Sequence, residues 1–156
     1  MWEELQDYDR DIRILIIEDN PGDVRLLKDA LKELKAPVDI RVASDGAEGL
    51  RITFNQNTGS ELWHPDLIFL DLNLPKVGGH EVLARLKADP DRRLIPVIVL
   101  SSSRAEIDIN RAYEAHANAY IRKPTSLDDL MNAVKGLKSF WIDTVRLPKI
   151  PDEIQH

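Results

Sequence analysis

The chain has 156 residues, 43% of them hydrophobic and 31% charged, with a formal net charge of −6. That is enough for one domain with its own core, and too acidic for non-specific attraction to DNA or anionic membranes. There is no cysteine, no signal-like N-terminus and no apolar run near the roughly 18 residues of a membrane span, so disulfides and thiolate metal sites are excluded and a cytosolic protein is expected.

In chain order, Ile12 to Ile17 is a near-continuous apolar run that stops abruptly at Glu18-Asp19, the pattern of a strand buried on both faces. Pro21 suits the first turn of a helix and Asp23 its positive end. Val24, Leu27, Leu31 and Leu34 give that helix one apolar face, and Pro37 stops it. Val38 to Ala43 reads as a second strand. A helix from about Ser44 carries Ala47, Leu50 and Phe54 and dissolves into a polar loop over 55–60. Leu67 to Leu70 is a third strand, and Gly78-Gly79 introduce a helix through Val82, Leu83 and Leu86. Val97 to Leu100 is a fourth strand, followed by a helix from about Arg104 to His116 and a short strand at Ala119 to Arg122. Ser126 and Asp129 have capping-box spacing, and Leu127, Leu130, Val134, Leu137 and Trp141 keep a helical rhythm behind them.

Five strands alternating with five helices predict an α/β domain, a doubly wound five-stranded parallel sheet with helices on both faces. It is expected over 12–142, between an N-terminal extension, 1–11, and a C-terminal tail, 143–156, that has Pro148 and Pro151. Ligands of such sheets collect at the carboxyl ends of the strands. The residues there are Glu18-Asp19 after strand one, Asp71 after strand three, Ser101-Ser102-Ser103 after strand four and Lys123-Pro124 after strand five. Three carboxylates, a hydroxyl and an ammonium on one rim suit a hard divalent cation with oxygen ligands, magnesium above all, and the handling of a phosphoryl group.

At these residues the chain resembles the response-regulator receiver domains of two-component signalling. The matching residues are Glu18-Asp19-Asn20, Asp71 within Phe69-Leu70-Asp71-Leu72-Asn73-Leu74-Pro75, Gly79, Ser101 after Val97-Ile98-Val99-Leu100, and Tyr120 followed by Lys123-Pro124. The Asn-Pro after the acid pair, the long loop after helix two and the Phe140-Trp141 ending look most like stand-alone receivers that serve phytochrome-type and similar sensor kinases. The resemblance implies a flavodoxin-like fold and a role for Asp71 as acceptor of a phosphoryl group from a kinase phosphohistidine. It implies Mg2+ held by Asp19, Asp71 and the backbone carbonyl of Asn73, with Glu18 acting through water. Ser101 and Lys123 would contact the phosphoryl oxygens, Tyr120 would change rotamer with Ser101, and Asn73 and Ser103 would flank the group and tune its hydrolysis. The Lys123-Pro124 bond would be cis. Three positions depart from the common pattern: Glu18 where Asp is usual, Gly78 where many relatives have Asp, and His116 where Gly is usual at a helix end, so that a left-handed cap there would be less comfortable and the exit of helix four is expected to differ in shape.

Output is expected through a sensor histidine kinase on one side and protein contacts on the other. The segment after helix five is too short for a helix-turn-helix unit, so no direct DNA binding is expected. A homodimer through helix four, strand five and helix five is the candidate assembly. Two other readings stay open. One is a phosphate-independent receiver-like scaffold. The other is a small phosphatase of the haloacid-dehalogenase kind, although Asn73 stands where that family has its acid-base Asp. His64, His80, His116 and His156 do not pair at metal spacing and are read as surface residues. Trp2, Trp63 and Trp141 are read as packing residues.

Overall fold

The run Ile12–Ile17 becomes strand β1, and β2 (Val38–Ala43), β3 (Leu67–Leu70), β4 (Val97–Ser101) and β5 (Ala119–Arg122) follow it in chain order. All pairings are parallel, in the order β2-β1-β3-β4-β5. The helices are α1 (Pro21–Lys32), α2 (Gly46–Thr53), α3 (Gly79–Ala88), α4 (Glu106–Glu114) and α5 (Leu127–Trp141). The structure, a computed structural model, describes residues 10–32, 37–55 and 63–149. The end of the first helix expected at Leu34, most of the polar loop after helix two, and Trp2 lie outside the described residues. No described helix is long and apolar enough to cross a membrane.

Strand side chains alternate between faces, and the core divides accordingly. Ile14, Ile16, Leu67, Phe69, Ile98 and Leu100 pack with Leu27 and Leu31 of α1 and Leu130 and Val134 of α5. Leu15, Ile17, Ile68, Leu70, Val97 and Val99 pack on the opposite face with Leu50 of α2, Leu83 of α3 and Ala112 of α4. Because β1, β3 and β4 are covered on both faces, their sequences are nearly unbroken apolar runs. Ile142 and Leu147, beyond α5, are also buried in the first of these clusters, so the described part of the C-terminal segment lies against the domain.

Local signals account for the helix starts. Asp45 caps α2 by accepting from the Glu48 N–H at 2.7 Å, and Ser126 caps α5 by accepting from the Asp129 N–H. A 3-10 turn at Arg92–Leu94, which has no apolar periodicity to announce it, is held by Lys87. Its Nζ donates to the carbonyls of Arg93 and Ile95 and to Asn118 Oδ1.

Three expectations need correction. His64 is not a surface residue: it is 2% exposed, with the Asn55 amide against its ring. No cis peptide bond occurs among the described residues, so Lys123-Pro124 is trans, the form an X–Pro amide intrinsically favours. The exit of α4 keeps the shape that a glycine would give it. His116 adopts φ 70°, its N–H donates to the Tyr113 carbonyl, and the Ala117 N–H donates to the Ala112 carbonyl. This is a Schellman cap with His in the left-handed position. Because the side chain is exposed, His116→Gly loses little packing. It is expected to raise unfolding free energy by about 0.5 to 1 kcal/mol in urea denaturation, the relief of backbone strain exceeding the gain in unfolded-chain entropy.

Candidate phosphoacceptor and metal site

The hydrogen-bond ladder of the sheet runs one residue beyond the strands and places the functional side chains. The Glu18 N–H donates to the Ala43 carbonyl, the Asp71 N–H to Ile17 and the Lys123 N–H to Ser101. Glu18, Asp71 and Lys123 are thereby aimed at one point above β1 and β3. One ligand oxygen from each of Glu18, Asp19 and Asp71 lies within 4.8 Å of the others. Asp71 is 6% exposed and Glu18 3%, whereas Asp19 is open to solvent.

Lys123 Nζ reaches into this cluster. It donates to Glu18 Oε2 at 2.7 Å and to Asp23 Oδ2 at 2.9 Å, and stands 3.6 Å from Asp71 Oδ2. The other Glu18 oxygen accepts from the Asn20 N–H. Burial pushes the Glu18 carboxyl up to about 7, against the Lys123 hydrogen bond and with added repulsion from Asp71. Burial also pulls the Lys123 ammonium down, but the hydrogen bonds to Glu18 and Asp23 and the charge of Asp71 together outweigh it and hold Lys123 above the usual lysine range. The set of hard oxygen donors, with the Glu18 carboxylate disfavoured by burial, fits a divalent cation.

Two glycines bring the neighbouring backbone close. A Cβ on Gly79 would lie 2.3 Å from the Asp71 carbonyl oxygen, and one on Gly46 would lie 1.9 Å from that of Val77. The loop from Asp71 to Gly79 is therefore packed directly on the starts of α3 and α2. By contrast, Gly78 has open space around its Cβ position and an ordinary φ of −67°, so the missing Asp there leaves only a cap unmade.

The remaining expected residues lie around this centre. Ser101 is fully buried at the end of β4, and its Oγ accepts from the Ser103 N–H. The Tyr120 hydroxyl donates to the Ser103 carbonyl rather than to Ser101. Asn73 is exposed in the loop after β3, its N–H directed at Asp71 Oδ1 at 3.4 Å. The Ser103 hydroxyl donates to Asp108 Oδ2. Sequence reading missed Asp23 as a partner of Lys123. The available signal was its place in the first turn of the helix that starts just after the acid pair, where Asn20 Oδ1 accepts from the N–H groups of Gly22 and Asp23.

The chain is similar in sequence and fold to known proteins. A family model described as response regulator receiver domain matches residues 14–135. Response regulator Rcp1 of Synechocystis sp. is 42% identical over 135 residues, covering 86% of this chain and 92% of the relative. The crystal structure of the phosphorylated cyanobacterial phytochrome response regulator RcpA superposes with a TM-score of 0.84 at 42% identity, covering 90% of this chain and all of that one. The Mn(2+)-bound form of Rcp1 gives 0.82, also at 42% identity, over 88% of this chain and 99% of that one.

Proposed function

The chain belongs to the response regulator receiver domain family, and we propose that it takes a phosphoryl group onto Asp71 from a phosphohistidine of a phytochrome-type or similar sensor kinase. The observation that carries this reading is the position of Asp71. It is a nearly buried carboxylate at the end of a central strand, beside two further acids and within 3.6 Å of a lysine ammonium.

An Asp71 carboxylate oxygen attacks phosphorus, a P–O bond forms, and the P–N bond breaks with its electron pair passing to the imidazole nitrogen, which is then protonated. Lys123, already at the site, ion-pairs with the incoming oxygens, and Ser101 donates its hydroxyl to one of them. Asp19, Asp71 and the Asn73 carbonyl would hold Mg2+, with Glu18 acting through water. When bound, that ion supplies charge neutralisation to the crowded acids and the transferred group. Alignment and charge account for most of the catalysis, so a site this small suffices. The protein acts as an acceptor with at most slow loss of the group, in a cytosolic setting.

The test is intact-protein mass after incubation with acetyl phosphate and MgCl2. A gain of about 80 Da that needs the metal supports the reading. No gain, even with a phosphorylated sensor kinase supplied, favours a phosphate-independent scaffold, and sustained release from a chromogenic phosphate ester favours a phosphatase.

For output we propose self-association through α4, β5 and α5. Ile107 and Tyr113 of α4 and Phe140 of α5 are large apolar residues exposed at 75%, 49% and 53%, and pairing them would remove apolar surface from water. Light scattering is expected to give twice the monomer mass in the phosphorylated state. A monomer before and after phosphorylation would rule the dimer out.

A further inference from the structure

Ser103 joins the two switch residues. Its N–H donates to Ser101 Oγ at 3.3 Å, and its carbonyl accepts from the Tyr120 hydroxyl at 3.0 Å. Its own hydroxyl accepts from the Ala105 N–H and donates to Asp108 Oδ2 at 2.5 Å. A serine hydroxyl has one proton. While that proton is given to Asp108, it cannot be given to a phosphoryl oxygen on Asp71. Any contact between the Ser103 hydroxyl and the phosphoryl group therefore breaks the bond to Asp108 and frees Asp108 Oδ2.

A replacement donor stands opposite. His80, the second residue of α3, has Nε2 3.5 Å from Asp108 Oδ1. Both its ring nitrogens are shielded from solvent, and among the described residues neither has a hydrogen-bond partner. Buried polar atoms left unpaired are costly and uncommon. This one borders the acid whose present partner must leave. The two sides differ in anchoring. His80 follows Gly79, whose N–H donates to the Leu72 carbonyl and whose Cα packs on Asp71, so it is tied to the acceptor loop. Asp108 lies in the first turn of α4, just beyond the loop that carries Ser103.

We infer that His80 is a positioning residue for the phosphorylation switch, taking Asp108 over when Ser103 releases it to meet the phosphoryl group. A neutral imidazole suffices, since one of its nitrogens carries a proton. His80 Nε2 stands 3.5 Å from Asp108 Oδ1, the oxygen that Ser103 does not occupy, at the outer limit of a hydrogen bond, and release of Asp108 by Ser103 lets that contact shorten. His80 therefore favours the phosphorylated arrangement, and the present one stores an unmet donor. The inference rests on the receiver reading of Asp71.

The experiment is the time course of phosphoryl uptake from acetyl phosphate and MgCl2, by intact mass, for wild type, His80→Leu, His80→Gln, Asp108→Ala and His80→Leu/Asp108→Ala. Small donors select the arrangement that can accept the group. His80→Leu is expected to slow uptake about two- to tenfold, the shift in population that one net hydrogen bond can produce. His80→Gln, which keeps an N–H, is expected to stay near the wild-type rate, and His80→Leu to have no further effect once Asp108 is alanine. Thermal melts of each variant accompany the rates, and His80→Ala replaces the leucine variant if that fails to fold. A His80→Leu rate equal to or above wild type overturns the inference, as does the same slowing in the Asp108→Ala background. Both outcomes leave the receiver reading standing. A wild type that takes up no phosphoryl group overturns both together.

Discussion

Asp71→Asn is expected to abolish phosphoryl uptake, lowering its rate by at least about 10³-fold, as removal of an enzyme nucleophile does. The amide nitrogen has no available lone pair, and the amide oxygen is a far poorer nucleophile than a carboxylate. No neighbour can substitute. Both Glu18 oxygens are engaged, by Lys123 and by the Asn20 N–H. Asp19 is exposed at the rim of the site, where it would hold the metal. The fold should survive the change, because Asn matches Asp in shape and Lys123 keeps Glu18 and Asp23. Removing one of several crowded negative charges is expected to leave the melting temperature of the metal-free protein equal or higher. Intact mass and a thermal melt on the same sample check both parts. A variant that gains the phosphoryl mass as fast as wild type would place the acceptor elsewhere.

The legible and illegible parts of this protein divide along a physical line. Strands buried on both faces cannot alternate, so β1, β3 and β4 are written as nearly unbroken apolar runs, and their ends are marked by Glu18, Asp71 and Ser101. Glu18, Asp71 and Lys123 were found because parallel topology alone brings strand ends together, whatever their side chains do. The partners of those side chains were not legible. Asp23 meets Lys123 across 100 positions of sequence, and nothing local in either residue records the pairing. His80 reads as an ordinary surface residue and Asp108 carries no signal of its own, because a contact between helices on one sheet face depends on packing rather than on periodicity. Leu147 lies in a stretch without rhythm, and its burial follows only from where α5 delivers the chain. The left-handed His116 was half legible. Its position after the last apolar residue of α4 marks a cap, yet the side chain argues against the conformation that the two capping hydrogen bonds impose.

Glu18→Gln should show what the buried acid costs and what it supplies. Glu18 is 3% exposed, and burial raises its carboxyl to about 7, more than the Lys123 hydrogen bond can reverse. Its pKa in the unfolded chain is the ordinary glutamate value, so between about pH 4.5 and 7 the folded protein binds the extra proton. Stability of the metal-free protein from this group is therefore fully present below that window, falls as pH rises through it and levels off above. The whole effect is at most about 3 to 4 kcal/mol, from about 1.36 kcal/mol per pKa unit over the shift from 4.5 to about 7. Glutamine cannot ionise, and its single amide oxygen keeps one of the two acceptors, serving Lys123 or the Asn20 N–H but not both. In EDTA, urea denaturation of Glu18→Gln at pH 8 is expected to give about 1 to 3 kcal/mol more stability than wild type, with the fall between pH 5 and 7 flattened. In a Mg2+ titration the same variant should bind about 10- to 100-fold more weakly, as when an outer-shell partner of a metal is lost. The two effects have one source, because a carboxylate kept from water is unstable alone and is stabilised by a cation. A variant that binds Mg2+ as wild type does would take Glu18 out of the metal site. One that keeps the pH dependence unchanged would show that the titrating proton belongs to another acid.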